Sequence, residues 1–538
     1  MNCKVNVPTE LTFEFTGSCQ DIFNEIELDV VFESQDGVQW RVPAFWAGGG
    51  AFKARFAAPA PGRYTFRTEC SNLADSGLHG KSGEFTAQPY DGDCELYRHG
   101  RLRVAANQRN LEHFDGKPFF WTGDTWWMGL TTRLDWPDGF KKLTADRVSK
   151  GFNLVQIVAG PLPNFEAETE IWHPYQRNES GWPWEREWAR INPAYYDMAD
   201  RRIRFLVECG LMPCIVGMWG YYISYMGEDR AKKHWRNLIA RYGAYPVVWC
   251  VCGEVKLPTY SKLSDPEAVE RIGEFQSRAW TNVARYVREI DPYSNLVTVH
   301  PWTELASRLS VTDDSVLDFD MLQSGHGSTN VLKPTVEGVI AANARTPRKP
   351  VINGEPCYEG IMGTGWQDVQ RFVLWTSVLS GSAGHTYGAQ GIWQMSTRDD
   401  PYSQDWGTGF WPEAMNYPGS AQVPLGKKLF ERYDWPSFEP RVVPATEQHG
   451  RIAAFGVGAP GTAWLFYFTP VYLDAIFAGV QGLRISIEPG ARYRAYFYNP
   501  RTGDDVEHGP VEPDPDGTWP VPARPTMEDW VLVLEAAR

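Results

Sequence analysis

Hydrophobic and polar positions alternate with period two in the first part of the chain. Leu11–Phe15 and Tyr64–Thr68 are examples, and turn signals such as Asp36-Gly37 and Pro61-Gly62 separate the runs. Short alternating runs of this kind are typical of antiparallel strands with one buried face. The pattern predicts an N-terminal β-sandwich over residues 1–90.

From Pro118 onward, short apolar runs alternate with longer helical patterns, which is the signature of repeated βα units. Eight runs are predicted to be strands: Phe119–Asp124, Asn153–Ile157, Met212–Gly217, Val247–Glu254, Leu296–His300, Phe319–Gln323, Val351–Glu355 and Gly384–Gly388. Eight strands close a (β/α)8 TIM barrel. We therefore predict a barrel domain, with its connectors, over residues 91–439.

The helical patterns are clearest where they are long. Between Val269 and Ile290 apolar residues recur at spacings of three and four, and Pro292 lies just beyond. The same spacing links Tyr195 to Val207, ahead of Gly210. Each pattern predicts a helix with one apolar stripe on the barrel.

Residues 160–192 show no such periodicity. This stretch carries Trp172, Trp182, Trp184 and Trp188. Long loops inside compact domains are usually functional, so we interpret it as an insertion that roofs part of a site after the second strand. The alternative is a loop that packs its own aromatic side chains.

Period two returns after residue 440, as in Ala463–Phe468 and Tyr493–Tyr498, and a last strand is predicted at Trp530–Leu534. These runs predict a C-terminal β-sandwich over residues 440–538. The predicted fold class is α/β, with a central (β/α)8 TIM barrel between two β-sandwiches.

Charge and composition narrow the functional classes. The 538 residues include 52 Lys and Arg against 66 Asp and Glu, a net charge of −14, which repels nucleic-acid phosphates and anionic lipids. The N-terminus lacks an apolar signal region, and no apolar run is long enough to span a membrane. We expect a cytoplasmic protein without nucleic-acid or membrane partners, and leave homo-oligomer formation open.

Nine Cys residues in a chain of this length argue against a disulfide framework. Cys250 and Cys252 share one face of a predicted strand, but no second Cys/His pair completes a zinc site. We therefore predict neither a metal nor another cofactor.

Two carboxylates suggest chemistry, because each ends a predicted buried strand. Glu254 ends the fourth strand and Glu355 the seventh. Loops at the C-terminal ends of barrel strands carry catalytic groups. Glycosidic bond cleavage needs one protonated and one ionised carboxyl group, so the pair fits this reaction. The alternative for either residue is a helix cap or an ion pair.

Other candidates lie at or near the ends of predicted strands. Asp124 could hold two sugar hydroxyls, because a carboxylate accepts two hydrogen bonds, although a helix N-cap is the alternative. Three histidines could face the pocket or be satisfied core residues: His300, His326 and His385. Tyr387 could bond the nucleophilic carboxylate or pack in the core. Candidates for a sugar-stacking platform are Trp126, Trp127 and Trp393.

The placement of the two acids resembles that of the clan of retaining barrel glycosidases with acids after strands four and seven. Three segments narrow the resemblance to the apiosidase-like glycoside hydrolases: Trp121–Trp127, Asn353–Glu359 and Gly384–Trp393. The resemblance covers roughly residues 90–440 and implies an acid/base at Glu254 and a nucleophile at Glu355.

The chain departs from the family pattern at the acid position. Clan members often carry Asn before the acid/base to bind a sugar hydroxyl, where this chain has Gly253. Apiosidase-like members can use Asp as the acid, where this chain has Glu254. The hydroxyl contact must then come from elsewhere, and the substrate can differ from apiosides.

The sequence thus favours a retaining O-glycosidase that cleaves the terminal sugar, with a furanose as one candidate, from a small oligosaccharide or glycoside. A transglycosylase with the same site and a non-catalytic carbohydrate-binding protein are the alternatives. The sequence names neither the sugar nor its linkage.

Overall fold

A computed structural model describes residues 2–163, 172–302, 305–402, 406–444, 452–470, 483–488 and 490–537. Its central sheet has eight parallel strands, and the predicted TIM-barrel fold is confirmed. The barrel strands are Trp121–Trp126, Leu154–Val158, Met212–Val216, Val248–Cys250, Val297–Thr298, Asp320–Gln323, Val351–Glu355 and Gly384–Tyr387.

The strands follow one another around the barrel in chain order, and the first pairs with the eighth. The fifth and sixth strands share no ladder. They are joined by the backbone N–H of Asp318, which donates to the Val297 carbonyl at 2.8 Å. A short strand, Leu305–Ala306, pairs antiparallel with the sixth. The barrel is therefore nearly closed, and its strand ends converge on one rim.

Helices cover the outside of the barrel. Those after strands one to seven are Asp138–Lys150, Pro193–Glu208, Ile223–Tyr242, Pro266–Ile290, Ser307–Ser310, Leu332–Asn343 and Gln367–Leu379, and those after strand eight are Trp411–Ala414, Pro418–Gln422 and Pro424–Phe430. Asn192 and Asp265 cap the second and fourth of these helices, each followed by a proline at the first position. Both helices expected from periodicity are present.

Two sheets precede the barrel. One contains Asn2–Lys4, Leu28–Ser34, Gln39–Pro43, Gly62–Cys70 and Ser82–Gln88, and the other contains Thr9–Glu14, Phe45–Gly48 and Ala51–Phe56. They are antiparallel except for the pairing of the first and last strands of the larger sheet. Phe32 and Phe56, from opposite sheets, stack with ring centroids 4.1 Å apart in their shared core. A helix, Ile22–Glu25, lies in this region.

A helix, Glu95–His99, and a three-stranded sheet, Leu102–Val104, Leu111–His113 and Pro118–Phe119, lead into the barrel. After it come a six-stranded antiparallel sheet, Glu439–Pro444, Ile452–Ala459, Ala463–Phe468, Tyr493–Tyr498, Asp505–Val511 and Trp530–Ala536, and a two-stranded one, Arg484–Ser486 and Thr518–Pro520. Arg371, on the helix after strand seven, makes two hydrogen bonds of 2.8 and 2.9 Å to the Asp529 carboxylate. Asp529 directly precedes the strand Trp530–Ala536, so this buried pair ties the six-stranded sheet to the barrel.

In its described part, the stretch predicted to roof the site packs against itself and against the N-terminal region. Residues 164–171 are outside the described residues. Trp184 packs against Phe23 of the N-terminal region, and its indole N–H faces His234. Trp172 and Trp188 pack together, with ring centroids 5.1 Å apart. Trp182 donates its indole N–H to the His173 carbonyl within the loop at 3.0 Å. These contacts favour the alternative interpretation, a loop that packs its own aromatic side chains.

Within the described part of the chain, the structure contains no helix of the length and hydrophobicity needed to cross a membrane.

Candidate active site

The two carboxylates predicted to act together meet at one cavity of about 350 Å³. Glu355 is the last residue of the seventh barrel strand. Glu254 lies just beyond the fourth strand, with a φ of 42°, a backbone conformation that non-glycine residues seldom adopt. Such strain persists only where the surrounding structure enforces it, and it clusters at functional sites.

Gln323 joins the two acids. Its side-chain amide nitrogen donates to Oε1 of Glu254 at 3.1 Å and to Oε1 of Glu355 at 3.3 Å. A register shift between Leu322 and Gln323 in the ladder with the seventh strand places Gln323 opposite Glu355. Irregularities of this kind redirect side chains, and here one brings an amide between two carboxyl groups.

Glu355 is surrounded by imidazole rings. Nε2 of His326 lies 2.9 Å from its Oε1, and Nε2 of His300 lies 3.1 Å from its Oε2, although the His300 ring is not aligned as a good hydrogen-bond donor. Burial raises the pKa of Glu355, but the two histidines outweigh burial and bring this pKa down to about 2. Glu355 is therefore ionised at any ordinary working pH.

The pKa of His326 is shifted in the opposite direction. Burial lowers its pKa, while its contacts with Cys357 and Glu355 outweigh burial and raise the pKa to about 9. The ring consequently carries a positive charge against the carboxylate at neutral pH.

Glu254 has a different environment. The indole N–H of Trp219 donates to its Oε2 at 3.1 Å. Burial, followed by the negative charge of Glu355, raises the pKa of Glu254 to about 7. One carboxyl group is thus ionised and its neighbour is near half protonation at neutral pH, which is the division of states that an acid and a nucleophile require.

The described walls of the cavity are mostly apolar. Besides the two acids and Gln323, the residues that line it are Trp127, Trp219, Leu257, Tyr260, Leu263, Trp302, His326, Tyr358, Ile361, Met362, Trp393 and Trp406. Trp127, His326 and Trp393 were singled out from the sequence. His300 lies behind the wall and contacts the Trp127 ring edge to face, with centroids 5.4 Å apart.

Asp124 does not reach the cavity, which contradicts the expectation that it binds sugar hydroxyls. Its side chain is fully buried and pairs with Arg147 Nε at 2.5 Å. The Trp126 indole donates to the same carboxylate at 2.7 Å, and the backbone N–H of Thr125 does so at 2.9 Å. Asp124 therefore holds barrel and helix together, and Trp126 is a core residue rather than a stacking platform.

Tyr387 and His385 also point away from the cavity. The Tyr387 hydroxyl donates to Glu359 Oε2 at 2.6 Å, and the Gly419 backbone N–H binds the other oxygen of Glu359 at 3.0 Å. His385 is fully buried two residues before Tyr387 on the same strand, and burial lowers its pKa to about 3. Side chains two apart on a strand share one face, so both residues lie on the outer side of the eighth strand. Neither predicted pocket residue is therefore placed to touch a substrate.

We expect Arg147→Leu to destabilise the protein strongly. The change leaves Asp124 buried without its cation, which costs about 3–5 kcal/mol in comparable cases. Urea unfolding followed by tryptophan fluorescence measures the loss. Arg204→Leu is the matched control, because Arg204 pairs with Glu208 at the surface, with side chains 65% and 43% exposed. A loss of similar size in both variants would contradict the assignment.

Among the lining residues that were not singled out from the sequence, Trp219 and Gln323 bond the acids and Tyr358 contacts His326. Trp219 and Gln323 stand at or just beyond the C-terminal ends of the third and sixth strands. That position was the available signal, because the same rule located both acids. Tyr358 follows Glu355 by three residues, and its ring lies 4.5 Å from that of His326.

Gly253, where the glycosidases that the sequence resembles often have Asn, is explained by Trp219. A Cβ at residue 253 would lie 2.4 Å from the Trp219 ring. The indole thus covers the position that an Asn side chain would need, and its N–H turns instead to Glu254. The hydroxyl contact expected of Asn has no counterpart at this position.

The structure offers no metal centre among its described residues, since no three His, Cys, Asp or Glu side chains are grouped as ligands there. Cys250 and Cys252 are buried thiols, and burial raises the pKa of both.

Comparison with known proteins identifies a family match and similar solved structures. The apiosidase-like catalytic domain family matches residues 105–437, and a domain of unknown function (DUF5060) matches residues 4–71. No curated protein matches significantly. A solved structure described as a glycoside hydrolase is 23% identical, with a TM-score of 0.64 over 82% of this chain and 97% of that one.

Two Bacteroides vulgatus structures are also similar. One, a glycoside hydrolase of family 5, is 24% identical with a TM-score of 0.66, covering 82% of this chain and 94% of its own. The other, described as a candidate glycoside hydrolase, is 16% identical with a TM-score of 0.72, and both chains are covered in full. At these identities the structures support the fold.

The barrel, the paired carboxyl groups at its rim and the family match define a glycoside hydrolase. Because the family match spans more than half of the chain, the chain belongs to the apiosidase-like glycoside hydrolases.

Proposed function

We propose that this protein is a retaining exo-glycosidase that removes the terminal sugar of small oligosaccharides or glycosides, with Glu355 as nucleophile and Glu254 as acid/base. The observation that carries the proposal is the contrast between the two carboxyl groups. Two histidines keep Glu355 ionised, while burial and the Glu355 charge keep Glu254 partly protonated.

The separation of the acids supports retention. Their two Oε1 atoms are no further apart than the sum of the two hydrogen bonds from Gln323, 3.1 and 3.3 Å. That limit applies to the two facing oxygens and lies at the lower edge of the roughly 6.5–9.5 Å carboxyl separation by which inverting enzymes admit a water. It accommodates the roughly 5–5.5 Å of retaining enzymes.

In the first step a carboxylate oxygen of Glu355 attacks the anomeric carbon as the glycosidic C–O bond breaks. Glu254 gives its proton to the departing oxygen, so the aglycone leaves as a neutral alcohol. Glu355 becomes a neutral ester. Because the charge of Glu355 helped to raise the pKa of Glu254, this pKa then falls.

In the second step the ionised Glu254 takes a proton from water, whose oxygen attacks the anomeric carbon. The ester bond breaks and Glu355 leaves as a carboxylate, which restores both starting states. His326 and His300 stabilise the returning charge, since both remain next to the Glu355 oxygens.

The experiment that tests the proposal is hydrolysis of chromogenic glycosides with the first product followed by proton NMR. A branched furanose such as apiose is the first sugar to test, because the family is named for it. Arabinofuranosides, mannopyranosides and glucopyranosides complete the panel. The proposal expects the first product to keep the substrate's anomeric configuration. A first product of inverted configuration would make Glu355 a base that activates water.

We expect kcat/KM to fall above about pH 7 and to show no acidic limb until the protein unfolds. The basic limb follows from Glu254, which must be protonated to assist the leaving group and whose pKa is about 7. The acidic limb would need protonation of Glu355, whose pKa is about 2. Because the two acids are coupled, the limbs belong to the pair. Initial rates with an alkyl glycoside from pH 4 to 9 measure the profile.

Glu254→Gln is the control for the pH profile. It removes the titrating acid, so the small residual activity should lose the limb near pH 7. A limb that persists in this variant would assign the titration to another group.

A further inference from the structure

The loop that follows Glu254 builds one apolar side of the cavity. Leu257, Tyr260 and Leu263 line the cavity, and the backbone N–H of Leu257 donates to the Glu254 carbonyl at 3.0 Å. Leu263 is 42% exposed although it is a large aliphatic residue. Ligand cavities are lined mostly by apolar and aromatic side chains, and Leu263 belongs to such a lining.

The fifth strand extends this surface. Trp302 follows His300 at the end of that strand and lines the same cavity. The fourth and fifth strands are neighbours, and the backbone N–H of Val255 donates to the His300 carbonyl at 3.0 Å. Trp302 and the Leu257–Leu263 loop therefore lie on the Glu254 side of the cavity.

The opposite wall is apolar as well. Ile361 and Met362, on the loop after Glu355, line the cavity. Met362 is 47% exposed and has a φ of 53°, a backbone conformation that non-glycine residues seldom adopt. The strained backbone thus presents an apolar side chain at the mouth of the cavity.

The position of Glu254 decides which part of a substrate meets the first surface. An acid must stand next to the leaving-group oxygen, so the group attached to that oxygen lies on the Glu254 side. Leu257 and Leu263 have no side-chain atoms that form hydrogen bonds. A second sugar there would lose water from its hydroxyl groups without compensation from these side chains, whereas an apolar group would gain from burial.

We propose that Leu257, Tyr260, Leu263 and Trp302 form a leaving-group subsite for an apolar aglycone, so that the substrates are glycosides of alkyl, aryl or similarly apolar alcohols. This inference rests on the proposed function, because it takes Glu254 as the acid. It goes further by naming the chemical class of the aglycone.

The test compares hexyl and methyl glycosides of the sugar that the chromogenic panel identifies. Both leaving groups are simple alcohols, so their chemistry is matched and only the apolar contact differs. Wild-type kcat/KM should be about 10- to 100-fold higher for the hexyl glycoside. Leu263→Asn should lower the hexyl value about tenfold and leave the methyl value within about twofold.

Leu309→Asn is the matched control. Leu309 is 48% exposed on the short helix Ser307–Ser310 and is not among the residues that line the cavity. This variant should change neither substrate. Equal kcat/KM for hexyl and methyl glycosides in wild type, or an equal loss on both in Leu263→Asn, would overturn the apolar subsite while leaving glycoside hydrolysis intact.

A binding measurement separates the two proposals. Calorimetry is carried out on Glu355→Gln and on the double variant Glu355→Gln/Leu263→Asn. The ligands are hexyl and methyl 1-thio-D-apiofuranosides of both anomeric forms. Tighter hexyl binding that Leu263→Asn weakens would support the subsite even if no sugar of the panel is hydrolysed, and the proposed function alone would then fail. Hexyl binding that is no tighter than methyl binding would overturn the subsite.

Discussion

Glu355→Gln should lower kcat by about 10⁴-fold or more on every substrate, because nothing in the site replaces a missing nucleophile. The amide has the same shape, so Gln323 and both histidines keep a partner of the same size and the fold should persist. The measurement is single-turnover and steady-state hydrolysis of an aryl glycoside, with circular dichroism to verify folding.

Glu337→Gln is the control for this prediction. It makes the same chemical change at a residue whose side chain is 60% exposed and pairs with Lys333 on a surface helix. Its kcat should equal that of wild type. More than about one per cent of activity in Glu355→Gln would show that another carboxyl group attacks the sugar.

Glu359 is then the next carboxyl group along the chain, but its geometry argues against that role. Both its oxygens are engaged, by Tyr387 and by the Gly419 backbone, and it is fully buried. Burial raises its pKa, whereas a nucleophile must be ionised. Its place is in the same structural layer as Asp124 and Arg147.

The barrel could be predicted because local sequence determines it. Buried strands read as continuous apolar runs, and the helices between them carry an apolar stripe every three or four residues. Glu254 and Glu355 could be placed for the same reason, since each ends such a run. Strand ends converge in any closed barrel, whatever the details of packing.

Asp124 and Tyr387 could not be assigned correctly because their partners are distant in sequence. Arg147 lies on the following helix, and only packing shows that its guanidinium reaches Asp124 rather than solvent. Gln323 was missed because a register shift, which sequence does not reveal, turns it between the acids. Trp219 excludes a side chain at Gly253 through a contact between separate strand ends.

Glu254→Ala should divide substrates by their leaving group. An alkyl or sugar leaving group needs a proton, so kcat/KM should fall about 10³-fold. A 2,4-dinitrophenyl group departs as a stable anion without one, so its glycoside should form the glycosyl-enzyme at nearly the wild-type rate. Stopped-flow release of dinitrophenol measures that step directly.

The second step should then limit turnover, because the base that activates water is gone. Azide needs no base, so it should restore steady-state release of dinitrophenol and yield a glycosyl azide of retained configuration. Glu337→Ala, which removes an exposed carboxyl group outside the site, should show neither the leaving-group effect nor the azide effect. An equal loss on alkyl and dinitrophenyl glycosides, without rescue, would mean that Glu254 binds the substrate and does not donate a proton to the leaving group. The raised pKa near 7 would then reflect only its burial beside Glu355.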